Sequence, residues 1–321
     1  MRKSVSSIAA TLLCGLILTV SGCLNSGGPG AQTQRPSESA DPQSTATQSV
    51  SPGSPAPSST DSDDGTWRIY IKNTDDEELW SFTESQLSAL PPESPVAFAH
   101  VYSTINNWPT TRSYAADGYR IDSILRAAGV LDAAQTITFR SADGYEASLT
   151  RDQLLSPQYY FPQVGENDSG AEPVFPIISY RWREGSADIS AIRDDKPILI
   201  FGQRNPFEHT NPAFVEDVAE IIVDYSPSET WPAASTFPLP GPIASGETVN
   251  LQHPSYGLVK LHYTLDGSDP TPLSSMYNPS TYQLELNRPI TITEPTIIKV
   301  LATGYGRNDS EIAVFEFLPV G

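Results

Sequence analysis

Cysteine is almost missing from this chain: Cys14 and Cys23 are the two that occur in 321 residues. From residue 24 onward there is therefore no thiol to form a disulfide, to bind zinc as a thiolate or to act as a nucleophile. Basic residues are scarce as well, 19 against 38 acidic ones, which leaves a formal net charge of −19. Phosphate binding needs a basic stripe, so nucleic acid is excluded as an expected partner; the acidic balance favours solubility. Histidine is limited to four scattered residues, too few to suggest a Ser-His-Asp arrangement around Ser169 in "ENDSGAEP". Long apolar runs are lacking too. The longest stretch, Ile8 to Val20, has thirteen residues, short of the roughly 20 a permanent membrane helix needs.

That stretch follows Arg2 and Lys3 and ends in Ser21 and Gly22 before Cys23, the pattern of a cleaved secretory signal. "LTVSGC" resembles the lipobox of bacterial lipoproteins. The resemblance implies a signal peptide over 1–22, lipidation of Cys23 as the mature N-terminus, and attachment to a bacterial cell membrane on its extracytoplasmic face. More than one acyl chain would make that attachment stable. Residues 23–66 then read as a tether, because Ser, Thr, Pro, Gly and Gln dominate and large apolar side chains to offset ordering entropy are nearly missing. A flexible segment of that length spans about 35 to 40 Å.

Ordered patterning begins at Trp67. "WRIYIKN" alternates as a half-buried strand, and "FTESQLSALPP" predicts a short helix with Thr83 as N-cap, Leu87 and Leu90 on one face and Pro91 as its stop. A strand over 95–103 follows, then a helix in "RIDSILRAAGV" ended by Gly129. "QTITFRSADGYEASLT" predicts a hairpin turning at Asp143-Gly144. A second short helix is expected over Arg151–Leu155, an irregular stretch to about Pro173, and strands in "PVFPIISYRW", "KPILIFGQR" and "AEIIVDY". The aromatic run Tyr159, Tyr160, Phe161 could line a cleft or bury against a sheet. Mixed strands and short helices over 67–225 indicate one α+β domain. The Pro-rich "SPSETWPAASTFPLPGP" makes 226–244 a linker, and short strands between turn residues over 245–321 indicate a β-sandwich.

Three strings, "YSTINNWPTTRSYAADGYRIDSILRAAGV", "TITFRSADGYEASLTRDQLL" and "FGQRNPFEHTNPAFVEDVAEIIV", give residues 67–225 a resemblance to the molybdopterin-binding oxidoreductase domain of the sulfite oxidase superfamily. The family implies a strand delivering a cysteine to molybdenum. Here Ser103 stands at about that position, and a hydroxyl is a poor replacement for a soft thiolate; Asn107 and Trp108 stand where basic residues would meet the cofactor phosphate. Arg204 and His209 in "FGQRNPFEHT" could bind an anion, Arg204 through bidentate oxyanion contacts, or Arg204 could pair with a carboxylate. His209 could pair with Glu208 or with a backbone carbonyl. If the strand end is a pocket, Ser103, Asn106, Asn107, Trp108, Arg204 and His209 line it. No catalytic residue and no metal ligand are assigned.

"HYTLDGSDPTPLSSMY" followed by "PTIIKVLATGYGRNDSEIAVFEF" resembles the immunoglobulin-like C-terminal domain of chitobiases and hexosaminidases, a module that does not carry those enzymes' catalysis. "NPSTYQLELNRP" departs from it as a longer hairpin. Asp266 and Asp269 read as turn residues rather than calcium ligands. The resulting expectation is a surface lipoprotein that binds or displays without catalysis, with no cofactor and an unidentified envelope ligand. Two alternatives remain: a molybdenum-cofactor oxidoreductase lacking a cysteine ligand, and glycan or cell-wall binding through the C-terminal module by Tyr256, Tyr263 and Tyr277.

Overall fold

Alternation in the sequence sets the first strand: in Arg68–Asn73 (β1) Ile69 and Ile71 are fully buried while Tyr70 faces out. The computed structural model describes residues 67–89 and 96–321, all within one compact unit. The expected signal peptide, Cys23 and tether lie outside the described residues, as do Leu90 and Pro91. Among the described residues no helix is long and apolar enough to cross a membrane.

Glu78–Thr83 (β2) leads into Glu84–Ala89 (α1), where Thr83 Oγ1 accepts from Gln86 N at 3.3 Å as an N-cap does. The chain continues through Ala97–Ile105 (β3), Thr111–Arg120 (β4), Ile121–Ala127 (α2), Thr136–Ser141 (β5), Glu146–Thr150 (β6) and Arg151–Leu155 (α3). Then come Gln158–Tyr160 (β7), Glu172–Val174 (β8), Ile177–Glu184 (β9), Arg193–Ile200 (β10), Val215–Glu216 (β11) and Val218–Asp224 (β12). Two five-stranded sheets result, in the orders β2-β1-β12-β5-β6 and β11-β10-β9-β4-β3. Ile69, Ile137 and Ile221 from the first sheet meet Tyr102, Ile178 and Ile198 from the second in one core. The helices α1, α2 and α3 have six, seven and five residues, so this part of the chain is mostly β-sheet, with helices as short connecting pieces rather than a layer.

Strand β4 was not expected from "TRSYAADGYR", whose polar and small residues show no clear alternation. It is nonetheless central, hydrogen-bonded to β3 on one side and β9 on the other. The register slips between Asp117 and Gly118, and a Cβ at Gly118 would sit 2.1 Å from the Ile178 carbonyl oxygen, so the bulge admits only glycine. The stretch expected to be irregular up to about Pro173 contains the paired strands β7 and β8. Phe161 buries within it, and Tyr160 packs on the core.

Ser235–Phe237 (β13), Gly241–Ala244 (β14), Thr248–Gln252 (β15), Val259–Thr264 (β16), Ser275–Met276 (β17), Ile290–Thr291 (β18), Thr296–Gly304 (β19) and Ala313–Val320 (β20) form two further sheets, β13-β15-β18 and β14-β20-β19-β16-β17. Their core contains Trp231, Leu251, Leu261, Val300 and Phe317. Residues 226–244, expected as a linker, thus contribute two strands and a core tryptophan. Proline misled here: β14 is an edge strand bonded only to β20, and an edge tolerates Pro242. The strand expected in "YQLELNRPITIT" is instead a 3₁₀ turn over Leu284–Leu286 followed by the two-residue β18. Ser280 Oγ accepts from the Gln283 amide at 2.8 Å, and Leu284 is 61% exposed, so no buried face holds this segment extended. Asp266 Oδ1 accepts from Ser268 N at 3.0 Å as a turn residue does.

Candidate functional site

Strand β3 carries Ser103 inward, Asn106, Asn107 and Trp108 follow its end, and Arg204 and His209 come from the segment after β10. Ser103 is fully buried. Its hydroxyl donates to Gln203 Oε1 at 2.6 Å and accepts from the Phe161 amide at 2.8 Å, so its proton is committed to a structural bond. A protonated hydroxyl tied into that network does not fit the role of molybdenum ligand. Asn106 Oδ1 accepts from the Trp108 and Thr110 amides at 2.9 and 3.0 Å, shaping the turn into β4. Trp108 stacks on Tyr282 with ring centroids 5.2 Å apart and planes 9° apart. The Asn107 carbonyl accepts from Ser280 Oγ at 2.8 Å. The strand end is therefore where the C-terminal sandwich docks on the first pair of sheets.

A second contact holds the same seam. Thr150 and Gln153 form a capping box at α3, and the Gln153 side chain reaches across it. Its Nε2 donates to the carbonyls of Gly304 and Arg307 at 2.8 and 3.0 Å, while Oε1 accepts from Gly306 N at 2.9 Å.

Between these contacts lies a cavity of about 430 Å³, lined by both halves of the unit. Asn107, Arg204 and His209 line it, whereas Ser103, Asn106 and Trp108 do not. Sequence reasoning missed several of its polar members, among them Trp231, Lys260, His262 and Tyr305. Lys260 and His262 stand two residues apart on β16, opposite the core-facing Val259 and Leu261. That period-2 placement was legible, but what their face would meet was not.

Arg204 and Glu208 form an ion pair, with Arg204 Nε 2.8 Å from Glu208 Oε1. Glu208 also accepts from the Arg204 amide and from the Tyr305 hydroxyl, the latter at 2.8 Å. Its expected pairing with His209 is replaced by this one. Burial alone would lower the Arg204 guanidinium, but the Glu208 charge holds it above its ordinary value. Burial, then the Glu208 charge, raises the Tyr305 phenol well above its usual range.

His209 is 9% exposed, and its Nδ1 is buried without a partner. Burial and the neighbouring Lys260 charge push its pKa down to about 3, opposed only in part by the Asn106 backbone, so the ring is neutral at physiological pH. Burial lowers His262 too, against a hydrogen bond with the Ser274 carbonyl. Trp231 Nε1 is a second buried polar atom without a partner. Lys260 forms no ion pair with a described residue. Its Nζ has three distant oxygens, Asn107 Oδ1 at 3.4 Å and the carbonyls of Asn278 and Pro279 at 3.3 Å each, all beyond the usual N–H···O range. Burial brings its pKa down to about 8.

The carboxylates of this lining, Glu146 and Glu208, are paired with Arg140 and Arg204. Among the described residues no group of three or more His, Cys, Asp or Glu is placed to hold a metal ion. Tyr277 is buried in the sandwich core, with Tyr256 and Tyr263 packed against it, so these tyrosines are not an exposed stacking surface.

The family model for the chitobiase/beta-hexosaminidase C-terminal domain matches residues 238–314. The match begins within the segment expected as a linker, in agreement with the pairing of β14 to β20. No curated protein matches the chain.

Proposed function

We propose that this chain is a non-catalytic binding protein, lipid-anchored through Cys23 on the extracytoplasmic face of a bacterial membrane, which takes its ligand in the cleft between its two halves. One observation carries the binding role: the cleft draws unpartnered polar groups from both halves, while its two carboxylates are already paired. A general base needs a free lone pair within reach of substrate, and here Glu208 is engaged by Arg204 and Tyr305. In this reading residues 67–225 are a scaffold of molybdopterin-oxidoreductase type that has lost its metal ligand. The C-terminal domain's likeness to a module of glycan-processing enzymes supports a saccharide-bearing envelope ligand. The anchor rests on the "LTVSGC" string, and the tether would give the folded unit its reach.

Gly257 lines the cleft, and a Cβ there meets nothing within 4 Å, so a side chain can start from this position without a backbone clash, and Gly257→Trp is the variant chosen to obstruct the cleft. Retention of the intact chain on insoluble envelope glycan should fall in this variant. Undiminished retention would remove the cleft from the proposal. Cys23→Ser should move the protein from the membrane to the soluble fraction, and a variant still sedimenting with membranes would refute the anchor.

A further inference from the structure

We infer that the cleft is an oxyanion site: a compact ligand carrying a carboxylate, sulfate or phosphate group binds with that group against the Lys260 ammonium. This rests on the cleft reading above and names the ligand's chemistry. Several observations converge. Lys260 is a cation held in the cavity without a carboxylate partner among the described residues, in a chain with twice as many acidic as basic side chains. Scarcity is no explanation, since carboxylates are abundant. Its three oxygen neighbours are neutral and distant, 3.3 to 3.4 Å, whereas a charge-assisted bond to an oxyanion closes to about 2.7–2.9 Å.

The weakly satisfied polar groups nearby have the same polarity. An indole N–H only donates and an ammonium only donates, and Trp231, whose Nε1 lacks a partner, and Lys260, whose Nζ has only distant ones, both line the cavity. Neutral His209 has one ring proton, which its bond to the Asn106 backbone engages, so its unpartnered Nδ1 is an acceptor and stands outside this donor set. Such a donor-rich wall is complementary to an acceptor-rich ligand, and buried donors left unpaired are costly until one arrives. Local charge agrees: of the charged lining residues, Arg204 pairs with Glu208, Arg307 with Glu229 and Glu146 with Arg140, leaving Lys260 without an ion-pair partner among the described residues. A Cβ at Gly304 would sit 2.8 Å from Trp231 Nε1, so the bare glycine gives that indole nitrogen its room. The volume, about 430 Å³, is of small-ligand size.

The test titrates the intact chain with sodium D-glucuronate, sodium acetate, sodium sulfate, sodium phosphate and D-glucose at constant ionic strength, following heat and melting temperature. At least one anion should saturate and raise the melting temperature, and glucose should bind more weakly than glucuronate. Lys260→Met should weaken anion binding at least about tenfold, while Lys260→Arg keeps it within about threefold, because the charge is retained. Trp231→Phe, which removes one donor, should weaken it severalfold. Sulfate, phosphate or acetate binding as tightly as glucuronate, with the same dependence on Lys260, identifies the free oxyanion as the ligand; a preference for glucuronate identifies a sugar acid. No saturable anion binding, or equal binding by Lys260→Met, overturns the inference. Glucose binding that Gly257→Trp abolishes and Lys260→Met leaves intact would overturn the anion chemistry while sparing the cleft, whereas glycan retention indifferent to Gly257→Trp would remove the cleft itself.

Discussion

Replacing Gln153 with alanine removes the polar clamp between the two halves of the folded unit. The side chain makes four hydrogen bonds: Oε1 accepts from Thr150 N at 3.0 Å and Gly306 N at 2.9 Å, and Nε2 donates to Gly304 O at 2.8 Å and Arg307 O at 3.0 Å. Gln153 itself is 8% exposed. Each bond contributes about 0.5–1.5 kcal/mol net, and a partner left buried and unpaired costs up to about 3. Gly304, Gly306 and Arg307 are half-buried, so water can reach some of the orphaned groups and the lower figure applies to them. Thr150 Oγ1 still accepts from the residue-153 amide, which preserves half of the capping box. The expected loss is about 3 kcal/mol, read as a lower urea midpoint. Trp231 lies beside Gly304 and under the Arg307 guanidinium, 4.9 Å from its ring centroid, so its fluorescence reports on the clamped loop. A loss below about 1 kcal/mol would refute the reasoning, because four satisfied bonds at a buried residue cannot be worth less than one ordinary bond.

Ser103→Ala leaves the Phe161 amide and Gln203 Oε1 without a buried partner and should cost about 1–3 kcal/mol in equilibrium unfolding; a neutral result would show that the serine is not structural. Stability near Lys260 should depend on pH in a stated direction. Its pKa is about 8 in the fold against 10.5 in the open chain, so between those values the unfolded chain holds the proton and the folded one does not, and stability rises with pH. His209 and His262, whose charges would couple to it, are both held below the ordinary histidine range by burial and do not titrate in that window. Lys260→Met should accordingly be more stable than the parent below pH 8, with the difference shrinking toward pH 10.5 in paired thermal melts; a constant difference would refute the buried, unpaired ammonium.

Local chemistry carried part of this molecule plainly. The Asp143-Gly144 hairpin follows from one dipeptide between alternating runs: Gly144 takes φ +92°, and Asp143 Oδ1 accepts from Tyr145 N. Helix α2 follows from Ile121, Ile124 and Leu125 on one face and from Gly129 at φ +73° just beyond its end. Strand β4 was invisible because its pairing partners, β3 and β9, select it by position in the sheet rather than by its own pattern. Proline content hid β13 and β14, since edge pairing depends on a partner strand far along the chain.

The same division runs through the candidate site. Asn107, Arg204 and His209 were recognisable as polar residues near a strand end and in an Asn/Pro-rich loop, and composition alone ruled out thiol chemistry beyond residue 23. That Ser103 turns into the core, that Glu208 closes on Arg204 rather than His209, and that Lys260 arrives uncompensated from a different half were decided by tertiary packing. Side-chain periodicity reaches only a few residues, enough to say which face of β16 Lys260 occupies. What that face meets is set by the burial of two separate cores and the clamp between them, through contacts among residues more than a hundred positions apart.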